Sequence, residues 1–154
     1  MFTTAEVTAI LNREFRDTNY PVYIGFSTTA PTEKDEKGVI TLTGFTEPEI
    51  GYATGYFRGT LHTEEQPLLE APAKRQIQNK DVCYMSLLRQ TIPDQMTHFG
   101  LFRQKTGGTP FFYGELVNPV PFEADHIPVV DIGGFVVGLD KAQLDEAKTW
   151  EDYV

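Results

Sequence analysis

A single cysteine, Cys83, leaves this 154-residue chain unable to form an internal disulfide or a thiolate zinc cluster. Set between Val82 and Tyr84, its thiol reads as a small core side chain, and a reducing cytosol suits the folding of such a chain. Histidine is almost as scarce. His62, His98 and His126 are scattered and build no metalloenzyme motif, while Asp125 with His126, or His62 with Glu64, offers too few ligands to hold a metal. Basic residues number 13 against 22 acidic ones, and the net charge of -9 repels a polyphosphate backbone, so no nucleic-acid partner is expected. No apolar run approaches the ~20 residues of a membrane helix. The opening Met1 to Thr4 lacks the regions of a secretory signal, so the mature chain is expected to start at or near Met1, with no membrane partner. The glycine pairs Gly107–Gly108 and Gly133–Gly134 do not open a helix after a strand, which excludes a phosphate-cradling loop. No cofactor and no catalytic constellation are expected.

What the chain does have is enough apolar material for a core: 40% of its residues are hydrophobic and 12% aromatic, which excludes disorder. The length fits one domain, residues 1–154. Thr3 with Glu6 forms a capping box and Phe2 with Val7 a hydrophobic staple. Val7, Ile10, Leu11 and Phe15 then repeat at helical spacing, so residues 1–19 form a helical lead that Pro21 ends. From Tyr20 the period becomes that of strands. Runs at Val22–Phe26, Val39–Thr43, Tyr52–Thr60, Val82–Leu88, Met96–Arg103, Pro110–Leu116 and Ile132–Leu139 predict a β-domain over residues 20–139. Thr106, Gly107 and Gly108 mark a hairpin. A mainly β fold follows, an antiparallel β-sandwich or jelly-roll-like barrel. Asp140, Gln143, Leu139 and Leu144 predict a short C-terminal helix over 140–154, with Ala147, Trp150 and Val154 along one face.

Two connections are long enough to serve as arms. Thr28 to Gly38 carries Glu33, Lys34, Asp35, Glu36 and Lys37 in a row and is expected to be solvated; His62 to Lys74 carries the adjacent Leu68 and Leu69. Phe2, Leu68, Leu69 and Trp150 are the candidate assembly contacts, because apolar side chains on a loop or chain end call for a cover. Serine at 68 and 69 is expected to weaken assembly and leave the domain folded. Tyr52, Tyr56, Phe57 and Arg58 allow a second reading, an aromatic platform for a glycan or host receptor, against the plainer one of core and cross-strand pairs.

The blocks Val22 to Thr32, Phe45 to Glu49 and Gly51 to Ala53, followed by Thr97 to Phe102, Thr106 to Gly108 and Phe112 to Leu116, resemble a family of small tailed-phage virion proteins. Its members carry labels of tail fibre, head fibre or decoration, and minor structural protein. The likeness runs from the first helix through Leu139. Thr54 stands where the family often has a basic residue, and the segment after Asp140 looks like an addition. The resemblance implies a non-enzymatic accessory structural protein of the virion, on the head or at the neck and tail. Its partners would be other virion proteins and further copies of itself in a homo-oligomer. The alternative is a host-receptor or glycan-binding module at a tail fibre.

Overall fold

The computed structural model of the chain describes residues 2–139. Helix α1 (Thr4–Leu11) starts where the cap predicts, with the Glu6 N–H donating to Thr3 Oγ1 at 3.2 Å. A wide turn over Asn12–Arg16 continues it and keeps Phe15 in the buried stripe with Val7 and Leu11. Arg75 pins the helix start from outside, donating to the Phe2 carbonyl at 2.8 Å and to Thr4 Oγ1 at 3.2 Å.

Ten strands follow: β1 (Val22–Ser27), β2 (Thr32–Glu36), β3 (Val39–Thr43), β4 (Gly59–His62), β5 (Gln76–Gln78), β6 (Cys83–Tyr84), β7 (Met96–Phe102), β8 (Phe112–Val120), β9 (Val129–Val130) and β10 (Val136–Gly138). The main sheet has the order β4-β1-β7-β8, all antiparallel, and the remaining strands pair as β2-β3, β5-β10 and β6-β9. The expected mainly β, antiparallel fold with a leading helix is thus present. Among the described residues the pairings form one four-stranded sheet and three two-stranded ribbons, and do not establish a sandwich or a jelly-roll barrel. The helix expected over 140–154 lies outside the described residues.

Strand β1 is central and buried on both faces. Gly25 stands opposite Gly100 on β7, and together they leave a bare lane across the sheet. A Cβ at Gly100 would lie 2.9 Å from the Phe45 ring, and one at Gly25 would run into the Glu47 carboxylate. Glycine in these strands therefore marks a close approach of other chain segments. On the opposite side, Ile24, Phe26, Leu61, Leu101 and Phe135 join Val7, Leu11 and Phe15 in one core.

Several expected strands shrink. Only Gly59 and Thr60 of the run Tyr52–Thr60 are in a strand, because Gly51 to Gly55 turns tightly: Thr54 Oγ1 donates to the Glu49 carbonyl at 2.6 Å, and Gly55, at φ 78°, sits against the Leu87–Arg89 backbone with no room for a side chain. The charged row after Thr28, expected as a solvated connection, folds as β2 and pairs along its length with β3. Its side chains are solvated all the same, so both faces of this hairpin are wet. Further along, the buried Asn79 takes the place of a longer strand pairing. Its Oδ1 accepts from Phe135 N at 2.9 Å and its Nδ2 donates to the Asp131 carbonyl at 2.8 Å, fixing the turn before β10.

Candidate functional site

The most enclosed ion pair among the described residues lies where the Phe45–Glu49 segment crosses the bare lane. Arg58 meets Glu47 through two parallel hydrogen bonds, Nη2 to Oε1 at 2.7 Å and Nε to Oε2 at 2.9 Å. Its remaining donors reach the carbonyls of Gln104 at 2.9 Å and Gly107 at 2.8 Å, in the loop between β7 and β8. The guanidinium lies 3.4 Å from the centre of the Phe102 ring. Tyr56 completes the cluster, donating to Glu47 Oε2 at 2.8 Å while its oxygen accepts from Phe26 N at 2.9 Å. Burial, and then the charge of Glu47, raise the Tyr56 pKa well above its ordinary value, so the phenol stays protonated. The carboxylate is neutralised and the tyrosine cannot ionise, which leaves a clamp between β1, the Phe45–Glu49 segment and the β7–β8 loop. Nothing in it is placed to attack a substrate.

This geometry removes the platform considered for a glycan or receptor. Tyr52 is 78% exposed, but Tyr56 is fully buried and Arg58 points inward, so the three do not share a surface. Neither do the histidines converge on a site. His62 is buried beside Leu69, whose N–H its Nδ1 accepts at 3.2 Å; His98 Nδ1 bonds the neighbouring Thr97 hydroxyl, and His126 the Ala124 carbonyl. Among the described residues no group of three or more His, Cys, Asp or Glu side chains is arranged to hold a metal ion.

Burial, followed by the charge of Arg16, lowers the pKa of His62. Protonation therefore favours the unfolded chain. Stability is complete above the unfolded value of about 6.5 and falls as the pH drops from there towards the folded-state pKa. Urea midpoints measured from pH 7.5 downwards should show this loss below about pH 6.5, and His62→Gln should flatten that part of the profile relative to wild type.

The expected assembly contacts sit in different surroundings. Phe2 is 58% exposed, on the outer side of the helix start. Leu69 is 1% exposed, because its segment is stitched into the domain. Leu68 N donates to the Leu61 carbonyl at 3.3 Å, Lys80 N to the Leu68 carbonyl at 2.8 Å and Glu70 N to the Gln78 carbonyl at 3.0 Å, which turns Leu69 inward. Leu68 is half-buried against the core. Serine at 68 and 69 would therefore disturb the core before it tested assembly. Trp150 lies outside the described residues.

Apolar surface is concentrated elsewhere, where composition offered little signal. Val117, Val120, Ile127, Val129 and Val136 are all exposed, Val117 to 97%. Val120, Ile127 and Val129 border a concavity of about 560 Å³ between the end of β8 and β9, floored by Phe26, Leu88 and Phe122. Val117 and Val136 line a second one of about 400 Å³ that shares Phe26 and reaches Phe135. The scattered Pro119, Pro121 and Pro128 hide this region from strand periodicity, since each interrupts an apolar run.

A mainly β chain with its buried charges locked in a clamp and its apolar side chains gathered on a ledge defines a protein that presents surfaces. The chain belongs to the family of the podophage GP4 fiber I protein gp80, whose match spans residues 1–138. It is accordingly a phage fibre protein, a structural accessory component of the virion that contacts other virion proteins. No curated protein matches the chain. Among the described residues no helix is long and apolar enough to cross a membrane.

Proposed function

We propose that this protein is a fibre subunit mounted on the outside of a tailed-phage particle, at the head or at the neck and tail, where it works through repeated protein contacts and not through catalysis. The observation that carries this reading is the family match over residues 1–138, which covers every described strand. The geometry supports it. Its most enclosed charged groups, Arg58 and Glu47, are consumed in holding loops together, and the β2-β3 hairpin extends from the main sheet with both faces in solvent, as an arm suited to reaching a neighbour. Two-stranded hairpins gain stability from a third element, and a neighbouring copy in a homo-oligomer supplies one. Phe2 is a proposed contact on its exposure, and Trp150 on its sequence position. A receptor- or glycan-binding role has weaker support, since Tyr56 and Arg58 are buried.

Particle imaging tests the proposal. Particles made without the gene should lose a defined external density at the head, neck or tail, and purified protein added back should restore it. A protein absent from purified wild-type particles would overturn the reading.

A further inference from the structure

We infer that the groove between β8 and β9 is a strand-accepting dock for an extended segment of another virion protein, one that alternates apolar with basic side chains. The inference rests on the virion role proposed above and names the surface that performs it.

Three observations converge on this groove. The first is open backbone. Strand β8 ends the main sheet, so among the described residues its outer edge has no neighbouring strand. It pairs with β7 up to Glu115 and again only at Val120, so Leu116 to Pro119 stand opposite the single residue Thr97 and bow out of the ladder. Across the groove, β9 pairs among the described residues only with β6, leaving its other edge open to them as well. Unpaired strand edges are templates for an added strand. Pro119, which has no N–H to give, confines the usable edge of β8 to Leu116–Asn118 and so favours a short, specific insertion over open-ended sheet growth.

The second observation is the apolar lining. Val120, Ile127 and Val129 are exposed around a floor of Phe26 and Phe122, and Val117 is exposed beside Phe26 and Phe135 in the adjoining concavity, so alternate side chains of an inserted strand would meet apolar surface. The third is charge. Glu115, Glu123 and Asp131 line the two concavities, and among the described residues neither contains a lysine or arginine. An acidic rim around an apolar floor selects a partner that is basic at its edges. It disfavours a second copy of this chain, whose net charge is -9, and also its own segment 140–154, which carries five acidic residues against two lysines.

The test uses the full chain and two synthetic peptides, one alternating valine with lysine and one alternating valine with glutamate. Hydrogen exchange should slow at Leu116–Asn118 and Val129–Val130 when the lysine peptide is added, and the glutamate peptide should bind about tenfold more weakly or worse. The double variant Val117→Lys with Ile127→Lys, at two exposed positions, should keep the wild-type urea midpoint and lose the lysine-peptide protection. Equal binding of both peptides would overturn the inference. So would protection of Leu116–Asn118 without peptide, whether it grows with protein concentration, showing a second copy, or persists at high dilution, showing the chain's own tail. Add-back to particles lacking the protein separates this inference from the reading beneath it. If wild type and variant both restore the density, the groove is not the dock while the virion role stands; if wild type itself restores nothing, the virion role fails.

Discussion

Replacing Arg58 with alanine is expected to lower the unfolding free energy by about 3–5 kcal/mol, the range for removing one partner of a buried ion pair. The loss has three sources. Glu47 is left in a site that has lost its counterion; the Gln104 and Gly107 carbonyls lose their donor; and the face of Phe102 loses the cation stacked on it. Desolvation is the dominant effect, because the Arg58 side chain is 3% exposed and the Glu47 side chain 14%. Urea unfolding of Arg58→Ala against wild type reads this directly. The companion double variant Arg58→Met with Glu47→Leu separates the causes: with both charges gone, most of the lost stability should return. A double variant no more stable than the single one would show that the loop carbonyls, and not the stranded carboxylate, set the cost.

Leu69→Ala is expected to cost about 2–5 kcal/mol, the range for truncating a fully buried leucine. Phe2→Ser, at an exposed position, should stay within about 0.5 kcal/mol of wild type. The pair of substitutions distinguishes core from contact, since both residues raise the same suspicion when read as a string. A Leu69→Ala midpoint indistinguishable from wild type would mean that the Leu68–Glu70 segment does not hold its place against Leu61 and Lys80 in solution.

Why Leu69 misleads is instructive about what a sequence carries. Its burial depends on hydrogen bonds that its neighbours Leu68 and Glu70 donate to the carbonyls of residues 61 and 78 and that Leu68 accepts from residue 80, and a loop rich in Glu64, Glu65 and Pro67 contains no sign of them. The first helix is legible because its signals are local: Thr3 caps, and Val7, Leu11 and Phe15 recur on one side. Strands β1, β3 and β7 are legible for the same reason, each a run of β-branched or aromatic residues. Strand β2 is hidden by its charges, since a hairpin with both faces in solvent has no apolar alternation to reveal it. Strands β5 and β9, at three and two residues, are shorter than any periodicity can register, while β6 keeps only two residues of the expected run Val82–Leu88. The clamp is hidden. The bare lane at Gly25 and Gly100 appears only once β1 and β7 pair, and nothing along the chain says that Glu47 and Arg58, eleven residues apart, close over it together. The groove escapes because it is made by strand edges, and those depend on which strands pair.

The placement of β1 between β4 and β7 also sets a timetable for the newborn chain. The innermost strand is the first one synthesised, yet one of its flanking strands is not complete until Phe102 has emerged. During translation Val22, Ile24 and Phe26 therefore wait without their final neighbours, and the main sheet closes by bringing together stretches far apart along the polypeptide, a slow step compared with helix formation.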